Sequence, residues 1–448
     1  MATEKELFTK RQLAALLIPL ILEQILGITV GMADSVMVSS AGEAAVSGVS
    51  LVDSINILLV NTFCSLSTGG AVLAAHRLGE KKFKEAARTA DQLLLCVTGI
   101  ALVIMIFSLL ANRILLQAIF GGVERDVMEN AVVYFYITAL SFPFLGIYSA
   151  GSALARSMGN SKVTMYISVM MNVVNIAGNA VFLFVFHAGV FGVAASTLIS
   201  RILGAVVMTK IMRNRDLPLS FSGRIRIKPC GQVIRGILKV GLPTGMDNCI
   251  FQIGKILVQS LVAGFGTSAI TANAITGVVA GAAVIPASAT GVAMITIVGQ
   301  AIGAGDFEAA KGYVKKLLLA AYAGMFLLNG GIIIFAGNIA GLYDVSKGTA
   351  SLAKEVIIFH SVCAALFWPL GFTLPNALRA AFDAAYTMFI SIGSMWVFRI
   401  GFSYLLGVYF HMGLLGVWAA MGIDWFFRSV CFLWRMRKDR WLRQVRNG

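Results

Sequence analysis

Apolar residues in this 448-residue chain gather in runs of about 20 or more, separated by short polar stretches. A helix rising 1.5 Å per residue needs that length to cross ~30 Å of hydrocarbon, so each run predicts a membrane-spanning helix. Twelve spans are counted, at 13–38, 47–75, 90–111, 131–154, 163–186, 190–212, 237–264, 270–298, 317–341, 353–378, 384–410 and 413–434. The ~10-residue alternating segments of a transmembrane barrel are absent. The predicted fold is therefore an all-α polytopic membrane protein. The apolar run near the N-terminus lacks a small-residue cleavage site and is expected to be a retained first span.

The pattern repeats. A shift of 224 residues lays Pro19 on Pro243, Gly42 on Gly266, Gly79 on Gly303 and Phe83 on Phe307. "HAGVFGVAA" (187–195) meets "HMGLLGVWA" (411–419) at the same shift, and "TMYIS" (164–168) meets "TMFIS" (387–391) at 223. Six spans per half is an even number, so the halves share one orientation and form two parallel six-helix repeats. The expected divisions are an N-terminal lobe (1–212), a linker (213–236), a C-terminal lobe (237–434) and a basic tail (435–448). Paired bundles of this kind usually enclose a cavity near the midplane, which favours a secondary transporter.

Composition agrees: 58% of residues are hydrophobic and only 13% charged. The net charge of +15 is explained by topology rather than by nucleic acid. Counting residues at span edges with the adjoining loops, 28 of the 36 Lys and Arg fall on the side of the termini and four on the other. The positive-inside rule then predicts cytoplasmic termini, in a plasma (inner) membrane protein. The six cysteines are scattered, without a disulfide framework or metal-ligand spacing.

Ionisable groups inside spans are functional candidates, because each costs roughly 2.5–3.5 kcal/mol to insert. Asp34 lies in the last third of span 1. Glu23 is eleven residues earlier and returns to nearly the same helix face. Span 5 adds Asn172, Asn175 and Asn179, the last two sharing a face, and span 2 adds Asp53, Asn56 and Asn61. Such a cluster suits a proton or a sodium ion, since burial favours the neutral form of a carboxyl group. It equally suits a static hydrogen-bond network between helices. Asp424 and Arg428, at i, i+4, are expected to pair with each other. Asp247 and Lys255 lie eight apart in span 7, and the lysine needs a partner, either a carboxylate across a cavity or a bound anion. Arg201 and Arg399 raise the same question. Trp368, Trp396 and Phe402 are candidates for an aromatic cavity wall, though core packing also accounts for such residues.

No GxxxxGK[ST] loop, HExxH or GxSxG occurs, so neither ATP hydrolysis nor enzyme chemistry is visible and no cofactor is expected. The expected partners are small organic substrates and the bilayer, with the monomer as the functional unit.

The runs "IPLILEQILGITVGMADSVMVSSAGEAAVSGVSL", "GGAVLAAHRLGEKKFKEAAR", "ALARSMGNSKVTMY" and "NVVNIAGNAVFLFVFHAGVFGVAASTLIS" resemble the multidrug and toxic compound extrusion (MATE) family. The second half repeats the pattern in "VGLPTGMDNCIFQIGKILVQSLVAGFGTSAITANAI" and "GQAIGAGDFEAAK". The resemblance implies a V-shaped pair of six-helix lobes that exports small organic molecules, cations foremost, against entering protons or sodium. It makes Asp34 the family's first-helix aspartate. It also points to the DinF-like branch, with Asn175 and Thr197 on that branch's asparagine and threonine. Asn179 stands where that branch has a second acid. Phe251 and Trp368 stand where the NorM-like branch has acids, so the coupling site is expected in the first lobe. The alternatives are a flippase or exporter of a lipid-linked, anionic or zwitterionic metabolite, and a sensor or scaffold without transport.

Overall fold

The computed structural model describes residues 8–214, 216–221, 228–343 and 345–446, and among these every regular element is helical. In a bilayer this is one of two ways to satisfy every backbone amide and carbonyl. The first six passes are α1 (Lys10–Ser39), α2 (Glu43–Gly79), α3 (Phe83–Phe120), α4 (Arg125–Leu140) with α5 (Phe142–Ser157), α6 (Ser161–Ala180) and α7 (Gly189–Met212). The second six are α8 (Gly231–Ala263), α9 (Thr267–Ala283) with α10 (Ile285–Gly303), α11 (Phe307–Gly341), α12 (Lys347–Trp368) with α13 (Pro375–Ala380), α14 (Ala384–Ser394) and α15 (Gly413–Met436).

Ten of these segments are long and apolar enough to cross a membrane, and the bent α4–α5 pair makes an eleventh. The twelfth, α8, has the length at 33 residues but carries Asp247, Asn248, Gln252 and Lys255. Its polarity is itself a sign of an interior role. The α4–α5 pair bends by 48° at Ser141. Pro143 enters α5 in its first turn, where a missing N–H breaks no helical bond.

The internal repeat is visible in the backbone. Gly42 and Gly266 take φ of 101° and 92°, His187 and His411 48° and 55°, and Gly189 and Gly413 54° and 55°. Each pair is 224 residues apart. The outward apolar stripe repeats too: Val103 and Leu110 on α3 correspond to Leu327 and Ile334 on α11, all more than two thirds exposed. Large apolar residues so exposed mark a lipid-facing surface.

The chain divides into two compact units, Lys10–Leu242 and Pro243–Gly448, with Phe8 and Thr9 counted to the second. The first unit is built around Phe63, Leu93, Phe135, Phe142 and Leu154, all nearly inaccessible. The opening turns of α8 belong to it because glycine removes the barrier to contact. A Cβ on Gly69 would stand 2.2 Å from the Ile237 carbonyl oxygen and 2.7 Å from the Gly241 amide, so α2 and α8 meet backbone to backbone. The expected linker 213–236 thus includes the first turns of a helix; residues 215 and 222–227 of it lie outside the described residues, as do 447 and 448 of the expected tail.

The second unit is centred on Trp425, Val356, Ile357 and Met325. Helical winding loosens to π turns at Pro369–Thr373, Met395–Gly401 and Ser403–Tyr409. A Cβ on Gly416 would fall 2.8 Å from the Gly407 amide, which seats α15 directly on the last of these turns. At one end of α11, the Phe8 amide donates to the Tyr313 hydroxyl at 2.8 Å, and Lys311 Nζ meets Asp439 at 2.7 Å. Both ends of the described chain therefore meet the same end of one helix.

Candidate functional site

In the first unit, α1, α2, α4, α6 and α7 bring polar side chains together around Asp34. Asn175 and Asn179, one turn apart on α6, are both buried. Asn179 Nδ2 donates to Asp34 Oδ1 at 2.8 Å. Asn175 takes the amide orientation that matches its neighbours: Nδ2 donates to the two Asp34 oxygens at 2.9 and 3.2 Å, and its oxygen accepts from Thr197 Oγ1 at 3.3 Å. Hydrogen bonds to a carboxylate are the strong kind, so α1, α6 and α7 are tied through this one acid. The side-chain oxygen of Asn179 is buried with no partner among the described residues. An unspent acceptor beside a carboxylate fits a proton-bearing water or a sodium ion.

A cavity of about 170 Å³ opens at the site, lined by Gly31, Asp34, Ser50, Asp53, Tyr134 and Val193 among others. Asp53 on α2 accepts from Tyr134 Oη at 3.2 Å and from Asn56 Nδ2 at 3.3 Å. Two carboxyl groups on one small cavity repel each other when both are charged, so binding one cation relieves both. Arg201 on α7 is close enough to act electrostatically on Asp53, while its Nη1 donates to Ser141 Oγ at 2.7 Å.

The remaining first-lobe candidates separate from this site. Glu23 is on α1 but does not line the cavity; it accepts from Thr164 Oγ1 at 3.2 Å and lies 3.6 Å from Arg156. The reason is depth. Eleven residues return to the same face but advance ~16 Å along the axis. Asn172 Nδ2 is buried with no partner among the described residues, Asp34 included. Tyr134 escaped sequence reasoning, since an aromatic residue in an apolar run carries no signal of its hydroxyl's partner.

The second unit holds a larger cavity, about 330 Å³, walled by Phe251, Trp368, Trp418 and Trp425 and lined by Lys255, Arg399 and His360. Trp368 stacks on Phe372 at 4.1 Å and meets Trp425 edge-on at 4.9 Å. Trp396 and Phe402 are not among its lining residues. Trp396 is 51% exposed, and Phe402 packs on Phe398 at 5.4 Å. Trp396 lies in the π turn Met395–Gly401 and Phe402 between that turn and the next, Ser403–Tyr409; such winding displaces side chains from the faces that 3.6-residue spacing assigns. Asp247 is paired with Arg379 at 2.8 Å rather than with Lys255, and Asp424 with Arg428 at 2.9 Å.

The chain matches the MatE family model twice, over residues 19–181 and 243–405. It is 27% identical to the "Uncharacterized transporter YisQ" of Bacillus subtilis strain 168 over 431 residues, 95% of this chain and 94% of that protein. It is 25% identical to the "Probable multidrug resistance protein NorM" of Thermotoga maritima over 440 residues, covering 96% and 93%. In fold it is similar to a MOP-superfamily transporter from Pyrococcus furiosus Vc1, described as having a binding pocket of reversed polarity. That likeness has a TM-score of 0.88 at 22% identity, over 96% of each chain. The two family matches are 224 residues apart, the same interval that relates the positive-φ residues, and together they cover most of the sequence. The chain belongs to the MATE family of multidrug transporters.

Proposed function

We propose that this transporter is a secondary antiporter, in which a proton or sodium ion entering at Asp34 drives export of a small organic molecule. The observation that carries the reading is the Asp34–Asn179 bond, with an unspent Asn179 oxygen at its side and Asp53 on the same cavity. Neutralising Asp34 weakens the charge-assisted bonds that tie α1 to α6, freeing these helices to repack and discharge substrate outward. Asp53 supplies a second acid from α2 where Asn179 has none on α6. One charge moved through 100 mV contributes ~2.3 kcal/mol to each cycle.

The site chemistry follows the DinF-like branch, with Asn175 and Thr197 completing the cluster. Both termini are assigned to the cytoplasm of a plasma membrane. The basic loops and the meeting of Phe8 and Asp439 at one end of α11 support this. The lobes 1–212 and 237–434 are taken as the working units, active as a monomer. Cationic substrates suit the acids of the first lobe. A specific observation favours a second reading, export of an anionic or zwitterionic metabolite: the cavity of the second lobe presents Lys255 and Arg399.

Expression in a pump-deficient bacterial host tests the proposal. Wild-type protein raises resistance to at least one toxic organic compound, and Asp34→Asn, present in the membrane at equal amount, does not. Equal resistance from both would overturn the role given to Asp34.

A further inference from the structure

We propose that the cavity of the second unit binds a planar aromatic anion, an arene carboxylate, sulfonate or phosphate, between Lys255 and Arg399. This names a substrate class for the export reading and rests on that reading for its physiological direction. The binding itself needs no gradient.

Three observations carry the inference. First, no acid among the described residues lines the cavity, and three acids of this unit each have an arginine of their own. Asp247 is held by Arg379 at 2.8 Å. Asp424 accepts through Oδ1 from Arg428 Nε at 2.9 Å and from Ser394 Oγ; its Oδ2 is buried with no hydrogen bond among the described residues, and its charge is shared electrostatically with Arg399. Asp383 takes two bonds from Arg435, at 2.7 and 3.1 Å. Second, the two lining cations have no such partner among the described residues. Arg399 Nε and Nη1 are buried without a hydrogen bond, and Lys255 makes no ion pair. A guanidinium with free N–H groups is the side chain best shaped to hold a planar carboxylate, sulfonate or phosphate. Third, the walls are flat and aromatic. Phe251, Trp368, Trp418 and Trp425 line a space of about 330 Å³, within the usual range for small organic ligands. Trp418 is fixed by its own Nε1 bond to Asn273 Oδ1 at 3.1 Å, so its ring is preorganised.

Cations without a hydrogen-bonded counter-charge are costly inside a membrane protein and mark ligand or counter-ion sites. The Arg399 guanidinium lies 5.8 Å from the centre of the Phe251 ring, a contact that offsets part of its charge but leaves its donors open. Arg399 also sits in the π turn Met395–Gly401, a winding often found at functional positions. An organic cation entering this space would meet two positive charges and no free carboxylate on the lining. An aromatic anion would satisfy the donors and stack on the walls.

The test is calorimetric titration of the full chain in phosphatidylcholine nanodiscs, at equal pH and sodium throughout. Two probes share a ring and differ in charge: 2-naphthalenesulfonate and 2-naphthyltrimethylammonium. The sulfonate is expected to bind at least about tenfold more tightly than the ammonium, and Lys255→Gln with Arg399→Gln to weaken it at least about tenfold. Arg399→Lys, which keeps the charge but loses the fork, is expected to bind the sulfonate more weakly than wild type and more tightly than Arg399→Gln, a ranking that a mere folding defect would not give. No sulfonate binding, ammonium binding as tight or tighter, or an unaffected double variant would overturn the inference. Loss of sulfonate binding on adding phosphatidylglycerol would overturn it in favour of a lipid headgroup. Gradient-driven export without sulfonate binding sinks this inference alone; sulfonate binding without gradient-driven export sinks the coupling reading alone.

Discussion

Asn179 donates its amide to Asp34 across the α1–α6 interface at 2.8 Å and keeps its own side-chain oxygen buried and unbonded. In the proposed coupling role, such a residue would steady the charged acid and offer an acceptor to the ion that replaces the charge. Truncation should therefore harm coupling more than folding. Asn179→Ala is expected to slow gradient-driven efflux about tenfold or more, since a hydrogen bond to a charged group is worth roughly 1.5–3 kcal/mol. Initial efflux rates from proteoliposomes, compared at equal protein content, check this; a rate within twofold of wild type would remove Asn179 from the site.

Asp53 shares the cavity with Asp34 and is bonded by Tyr134 at 3.2 Å. Asp53→Asn is expected to leave the protein folded and membrane-inserted but to cut coupled transport at least about tenfold, whereas Tyr134→Phe, which removes a single hydrogen bond, should cost less. Counting coupling ions per substrate by reversal potential separates the roles. Unchanged stoichiometry in Asp53→Asn would make that residue structural.

The Asp247–Arg379 pair joins α8 to α13 at 2.8 Å in a poorly accessible place. Removing one member of a buried pair strands the other's charge, typically at ~3–5 kcal/mol. Arg379→Gln should lower the thermal unfolding midpoint in detergent, and Asp247→Asn added to it should recover part of the loss. A double variant less stable than either single variant would show that the pair is not the relevant interaction.

Much of this architecture was legible in residue order. Run length and the 224-residue interval are enough to place the twelve passes, because lipid forces every crossing into a closed, apolar helix. Asp34, Asn175 and Asn179 stood out because a polar group in a span must find a partner, and i, i+4 spacing fixes a shared face. Partners between helices were beyond reach. Nothing near Glu23 in sequence indicates Arg156, and nothing near Asp247 indicates Arg379, since both contacts follow from how helices pack. Trp396 and Phe402 were candidates only as aromatics and do not line this cavity; Trp396 lies in a π turn and Phe402 between two such turns, where winding departs from 3.6 residues per turn. Lys255 and Arg399 were legible as cations inside spans, but that no acid among the described residues lines their cavity required coordinates.

The central claim is that Asp34 exchanges its counter-ion during each transport cycle. Its most direct test is efflux of ethidium and 2-naphthalenesulfonate from proteoliposomes, under an imposed pH gradient or an imposed sodium gradient, for wild type and Asp34→Asn side by side. The expected result is flux of at least one probe that follows one of the two gradients in wild type and falls to about a tenth or less in the variant. Flux that is equally fast in Asp34→Asn, or that ignores both gradients in wild type, would contradict the account.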